Sequence, residues 1–559
     1  MKHRLGMAMA LVAAFLQSSI GAQQVVEVGD DVLDLTDACL YQGGVAYNPD
    51  ADEFLLVALG EPGALALRVD AATGAALGAV VLVGTPSTGV YVPDVVYNPD
   101  AQEYLVVWRK AGVPGLSGTQ IFGQRLDGAT AAEIGPNDFL IGDNHHIGGI
   151  SYDYSSPAVE YNPDDHEYLV VWDGRTATNE REIRAQRLNQ SAVAVGVNDF
   201  TISAVGPAGD LLYEASNPDL VYNSDAHEYL VVFSGTVVPT WPEEEIFAQR
   251  LAADGTQVGV DDAQISTTAG LPTSTDPSAA YAPELGRYLV VWSTTGITGA
   301  GQNWVSGQLL DVSTGVEVGP DDFKISLSLE KAVSSAVAWM ADQGGFEAIW
   351  DANDVTFSAQ REVFARLVDG ATGTPVGQQI QLSDQPSGVY ATNPAIATRN
   401  GSEALVPWTQ FWCAGDFCWS CELADQPTYA ACAAVAPGAV VRLGTPPNPP
   451  ALLAAPGSAP VLGQTFEPRI DHAAFMPGAI LDALLVSVTP LNVPTPIGTL
   501  LCSPTGGVTF TGPAGAPFAV PVPLSCAVVG AAVCAQGLSV GASSTLALTN
   551  ALDLVIGTF

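Results

Sequence analysis

Positive charge is scarce in this chain. Its 559 residues hold 19 lysines and arginines against 59 acidic residues, a formal net charge of −40, and only four of the basic residues are lysines. A chain of that sign repels phosphate backbones, which excludes nucleic acid as a partner. It favours solubility and divalent cations without specifying either. Long apolar runs are also missing. The run from Leu5 to Leu16 is too short to span a bilayer. It follows Lys2, His3 and Arg4 and leads to small residues, so residues 1–22 read as a secretory signal peptide, cut near Gly21 or Ala22. Its loss removes two bases and takes the charge from −40 to near −42. No charged residue lies between Asp482 and Asp553. Pro490, Pro494, Pro496, Pro504, Pro513, Pro517, Pro521 and Pro523 break that stretch, so it is not a membrane helix. No transmembrane segment is expected after signal cleavage, and no segment shows a long helical period.

The chain has eight cysteines. Cys413, Cys418, Cys421 and Cys432 form a cluster spaced C-x4-C-x2-C-x10-C. A zinc site would more often show two C-x2-C pairs, so in an exported chain disulfides are expected and metal is the alternative. Five cysteines precede residue 444 and three follow it. Either one bridge crosses between the two sides or two thiols are free.

What the chain does have is repetition. "VVYNPDAQEYLVVWRK" at 95–110 returns as "VEYNPDDHEYLVVWDG" at 159–174 and "LVYNSDAHEYLVVFSG" at 220–235. Seven units begin near residues 45, 95, 159, 220, 279, 337 and 395. Each carries four strand-like runs rich in Val, Ile, Tyr, Phe and Trp, punctuated by Gly, Pro, Asn and Asp. Four short strands repeated seven times predict an all-β fold, a seven-bladed β-propeller over residues 25–444. Residues 28–36, "VGDDVLDLT", match the fourth strand of later units, as in "VGVNDFTIS" at 195–203. The seventh unit ends its third strand at "AVVRLG", 439–444. The N-terminal strand is therefore expected to complete that unit and close the ring, removing an open edge. Residues 445–464 read as a Pro/Ala-rich linker and 465–559 as a small β-sandwich-like domain.

These repeats resemble the secreted β-propeller repeat proteins of bacteria. The strands around "GTLLCSP", "VCAQGL" and "LDLVIG" look like a small C-terminal β-domain seen in planctomycete-type secreted proteins. Neither resemblance implies a known activity. The sialidase S-x-D-x-G-x-T-W box, the D-x-D-x-D-G calcium loop and the Trp-Asp ending of forty-residue propeller repeats are absent.

The word NPDxxEY reads as a hairpin turn, with Pro setting φ and Asn and Asp capping through their side chains. Glu53, Glu103, Glu167, Glu228 and Glu403 open second strands; Arg68, Arg125, Arg187, Arg250 and Arg442 close third strands. Antiparallel neighbours bring these positions together, so ion pairs Glu103–Arg125, Glu167–Arg187, Glu228–Arg250 and Glu403–Arg442 are expected. The fifth unit has Arg287 and Leu309 instead, both members changed together. The alternative is a solvated surface arginine.

No catalytic residue stands out. Ser539 lies in a G-x-S-x-G pattern, but no histidine follows it and its surroundings are strand-like. His145 and His146 with Asp143 lack a third strong ligand. His166 and His227 occupy one turn position in two units. No cofactor is expected. The turns between strands one and two, and three and four, are uniform; the other loops vary and leave from the opposite face. Function concentrates on variable loops. Tyr152, Tyr154, Trp241, Trp412 and Trp419 are the candidate ligand-binding residues there. The expected role is a secreted, cell-surface or periplasmic binding or scaffold protein for carbohydrate or protein. A polysaccharide hydrolase or lyase with a carboxylate site on the same face is the alternative.

Overall fold

The computed structural model describes residues 43–557 except 61–62, 87–89, 112, 114–118, 144–156, 177–178, 239–242, 268–272, 296–302, 327–331, 354–360, 378, 384–388, 415–416, 425–428, 431–436, 456–457, 462–464, 474, 506, 523–530 and 543–544. The chain forms two compact units, one of residues 29–429 and one that includes residues 430–559.

The first unit is a seven-bladed β-propeller. Its second blade is the pattern for the others: Val90–Asn98, Glu103–Ala111, Thr119–Asp127 and Glu133–Asp143 pair in that order, all antiparallel. The first, third, fourth and fifth blades repeat it from Val45, Ala158, Ala215 and Thr273. The sixth has Val333–Met340, Gly345–Asn353, Arg361–Asp369 and a two-residue fourth strand, Ile380–Gln381. The seventh has Ala397–Arg399, Glu403–Leu405 and Tyr429–Ala430. Between the last two of these, Trp408–Ala414 and Phe417–Ala424 form a hairpin that pairs with Val389–Thr392.

Alternation along each second strand packs one blade on the next. Tyr104, Val106 and Trp108 face the first blade, and Leu105 and Val107 face the third. First strands of neighbouring blades lie against one another, so they line the axis.

The repeated words also hydrogen-bond neighbouring blades together. Asn98 Oδ1 accepts the backbone N–H groups of Asp100 and Ala101, which makes the turn, while its Nδ2 donates to Tyr168 of the third blade. Asn223 does the same, reaching Tyr288 of the fifth. In four blades the tyrosine that ends the first strand donates back to the turn aspartate of the preceding blade: Tyr97 to Asp50, Tyr161 to Asp100, Tyr222 to Asp164 and Tyr281 to Asp225. Buried Gln124, Gln186, Gln249 and Gln308 accept the N–H of Asp138, Asp199, Asp262 and Asp322. Those aspartates have positive φ of 42–49° at a fourth-strand bulge. Three of them reach back to the preceding blade and accept N–H groups of Thr85, Ala204 and Thr267.

The ring closes between blades seven and one. Asn400 donates to Tyr47, Arg399 pairs with Asp52, and Leu405 packs in the core of Phe54 and Leu56. Residues 28–36 lie outside the described residues. Their expected partner is elsewhere: Gly438–Arg442 pairs with Leu546–Val555 in the C-terminal unit. The "AVVRLG" word has Val441 where well-formed third strands have the buried Gln, so nothing there holds a bulged fourth strand.

The second unit is built on a five-stranded antiparallel sheet, ordered Gly438–Arg442, Leu546–Val555, Ala532–Gly541, Ala479–Ser487 and Val508–Pro513. Short two-stranded ribbons pack over it through Leu452, Phe466 and Ile470, and Cys502 is bonded to Cys534. The expected linker 445–464 is part of this unit. Leu452–Ala454 pairs with Pro468–Ile470, and buried Asn448 bonds Thr499 and Thr549. Proline-rich composition hid a strand whose Leu452 belongs to the core.

Candidate functional site

The face formed by the uniform turns is saturated by its own bonds. Arg68 and Arg125 grip both oxygens of Glu53 and Glu103 at 2.5–2.7 Å. Arg187 and Arg250 each hold one oxygen of Glu167 and Glu228 at 2.6 Å. In the fifth blade Arg287 turns to Asp311 at 2.8 Å. Arg442 does not meet Glu403. It donates to Asp553 across its own sheet pair, and Glu403 accepts from Arg399. In the 3–4 turns Asp70, Asp127 and Asp369 each cap two backbone N–H groups and a hydroxyl, and Asp311 caps two N–H groups and two hydroxyls. His166 and His227 sit at φ 55° and 54°, beside Asp52 at 53° and Gln102 at 52°, as members of one left-handed turn position.

The axis and its opposite end differ. Asp94, Glu160 and Asp219 project from the first strands of blades two, three and four. Asp94 accepts Val159 N–H and Asp219 accepts Ala279 N–H, each from the next blade. Glu160 reaches the backbone of Tyr222 in the same sense. Gly44 makes room for this tier, since a Cβ there would fall 2.4 Å from Asp94 Oδ1. Enclosure pushes Asp94 up to about 7, and the Asp219 charge adds to it. Glu160 is pushed up to about 8 by burial, then by Asp219 and Asp94. Nearer the variable loops, the first strands of blades two, four, five and six bulge. Val92, Asn217, Asp276 and Ser334 have φ of 45–54° there, and Asn393, after Val389–Thr392, has φ 52°. Asn217 donates to Asp276, and Ser334 donates to Asn393. Burial raises the Asp276 carboxyl, and the hydrogen bonds from Thr275 and Asn217 oppose the rise.

Beside this tier lies a charged group from blades three and four. Arg181 is 2.7 Å from Asp173 and 3.6 Å from Glu214; Arg175 is 3.8 Å from Glu214. Burial, then the Asp276 charge, raises Glu244, while Arg181 opposes the rise. A carboxyl whose proton is held more tightly by burial donates a hydrogen bond in its acid form; ionised beside arginine it accepts one. The arrangement therefore suits a hydroxyl-rich or peptide ligand.

Tyr152, Tyr154 and Trp241 lie outside the described residues, as do His145, His146 and Cys432. Trp412 and Trp419 belong to the strands Trp408–Ala414 and Phe417–Ala424, where the backbone pairs Trp412 with Ser420 and Cys413 with Cys418. Their side chains, and that of Cys421, are outside the described residues. Among the described residues no three His, Cys, Asp or Glu side chains gather as a metal site. No helix among them is long and apolar enough to cross a membrane.

Ser539 gains an unexpected neighbour. It donates to Asp482 at 2.6 Å, and His472 contacts the same carboxylate at 2.9 Å. Serine and histidine both bond the aspartate, and Ser539 is fully buried, so this is a structural cluster and no nucleophile.

The carboxylates at the axis were missed because single departures from the repeat words were not counted. "VEYN" stands where other blades have "VVYN" or "LVYN", and "GFEAIW" where they have "EYLVVW".

No family model matches the chain, and no curated protein does. Among solved structures, a Dyadobacter fermentans protein of unknown function is 13% identical with a TM-score of 0.41, over 63% of this chain and 97% of that one. An α-L-arabinofuranosidase of Fusarium graminearum is 15% identical with a TM-score of 0.40, over 62% and 96%. The Dos1 propeller is 10% identical with a TM-score of 0.37, over 72% and 95%.

Proposed function

We propose that the protein is an exported, non-catalytic binding or scaffold protein that takes a carbohydrate or protein ligand on the variable-loop face of its propeller. The observation that carries this reading is the contrast between the two ends. At the uniform face Asn, Asp, Tyr, Glu and Arg are spent on turns and blade-to-blade bonds. At the other end polar and charged groups of several blades gather around the channel mouth. Most carboxylates of that end are held by structural donors, as Asp94 is by Val159 and Asp173 by Arg181, which suits recognition better than acid–base turnover. Export fits the Cys502–Cys534 bridge and the signal-like start.

A hydrolase or lyase is the second reading, favoured by Glu244 and Asp276, two raised carboxyls of which Glu244 feels the charge of Asp276. Screening the purified chain against glycans and cell-wall fractions separates the two. Binding without released oligosaccharide, weakened by E244Q or D276N, supports the first. Product release abolished by either change overturns it.

A further inference from the structure

Six blades place a leucine at the second residue after the position of Glu103: Leu55, Leu105, Leu169, Leu230, Leu289 and Leu405, all fully buried. The sixth blade places Glu347 there, only 4% exposed, and neither carboxylate oxygen has a hydrogen-bond partner among the described residues. Phe346, Ala348, Trp350 and Ala352 share the core with the fifth blade. Glu347, Ile349 and Asp351 therefore face the seventh, and Asp351 accepts the backbone N–H of Asn393 from that side. Beside Glu347 on the flanking strands stand Ala338 and Leu367.

An orphan carboxyl in an apolar seam is a costly substitution for leucine, and a buried unsatisfied group calls for an explanation. We propose that Glu347 is a proton-operated latch on the seam between the sixth and seventh blades, seated there as the neutral acid and loosening the seam when it ionises. The other charged groups on that side of the sheet are Asp369 at the strand end and Asp351 and Arg361, 2.7 Å apart; burial pushes Asp351 up to about 7, and the Arg361 charge opposes that rise. From the seventh blade the titratable groups whose side chains are described are Tyr390, Arg399 and Glu403, and Arg399 is committed to Asp52 and Glu403. None of them acts on Glu347, whose carboxyl is pushed up to about 8 by burial alone. The unfolded chain ionises this group in the ordinary glutamate range. The folded form therefore loses stability as pH rises from that range through about 8.

Hydrogen exchange of the full chain tests this, comparing protection factors near about pH 6 and about pH 9.5. Peptides covering 389–409 should lose protection by roughly tenfold or more in the parent, while peptides from the seam of blades two and three hold theirs. E347Q and E347L keep Asp351 with its own titration and should remove most of the loss. Leucine matches the other six blades, so it carries the test if glutamine disturbs folding. A parent whose seventh-blade protection is flat across that range, or an E347L chain that loses as much as the parent, overturns the latch.

Discussion

Changing Asn98 to alanine asks how much one repeated word contributes. Asn98 is fully buried. Its Oδ1 accepts two backbone N–H groups at 2.9 and 3.0 Å, and its Nδ2 donates to Tyr168 at 2.8 Å across the seam to the third blade. One buried and two part-buried hydrogen bonds at about 1 kcal/mol each give about 3 kcal/mol. Tyr168 is not stranded, because its hydroxyl is already 3.4 Å from Glu103. Pro99→Ala changes only turn stiffness and should cost about 0.5–1 kcal/mol. Urea unfolding measures both as shifts in midpoint at constant slope. A double-mutant cycle with Tyr168→Phe isolates the seam bond and should give about 1 kcal/mol of coupling. If Asn98→Ala costs no more than Pro99→Ala and the cycle shows no coupling, the Asn is a turn residue only, and the blade-to-blade reading of the repeat is wrong.

Glu103→Ala should destabilise by about 2–3 kcal/mol because it strands a largely buried guanidinium, and Arg125→Ala added to it should recover part of that loss in the same assay. Glu160→Val restores the residue type of Val96 and Val221; since the raised Glu160 makes stability fall as pH climbs through about 8, the variant should show a shallower decline in alkaline melts, and an unchanged decline would rule this out. Replacing Cys502 and Cys534 by serine opens a loop with a sequence separation of 32 residues and should cost the C-terminal unit about 3–4 kcal/mol by calorimetry. Thiol counting on the denatured, unreduced protein should find Cys413, Cys418, Cys421 and Cys432 unreactive, as two bridges require; four reactive thiols mapping to that peptide would refute the pairing.

Much of the ring was legible because its words carry fixed tasks. Asn, Asp and Tyr recur because each bonds the next blade or the last, and Glu and Arg recur because antiparallel strands bring them together. The seventh blade was misread where the words thin out. "AVVRLG" kept an arginine without the preceding Gln, and Arg442 found Asp553 in another sheet, a partner that no local pattern announces. The charged site was less legible. Asp94, Glu160, Asp219 and Asp276 are far apart in sequence and meet only because first strands converge on one axis. Glu160 and Glu347 could have been found by asking which blade breaks its own word.

Binding is proposed at the variable-loop end of the axis. Hydrogen exchange on the full chain, with and without the tightest ligand from the glycan and cell-wall screen, tests that placement directly. Protection is predicted in peptides holding Arg181, Glu214, Glu244 and Asp276, with the turns at 99–102, 163–166 and 224–227 unchanged. Protection confined to those turns, with the channel mouth unchanged, would contradict it.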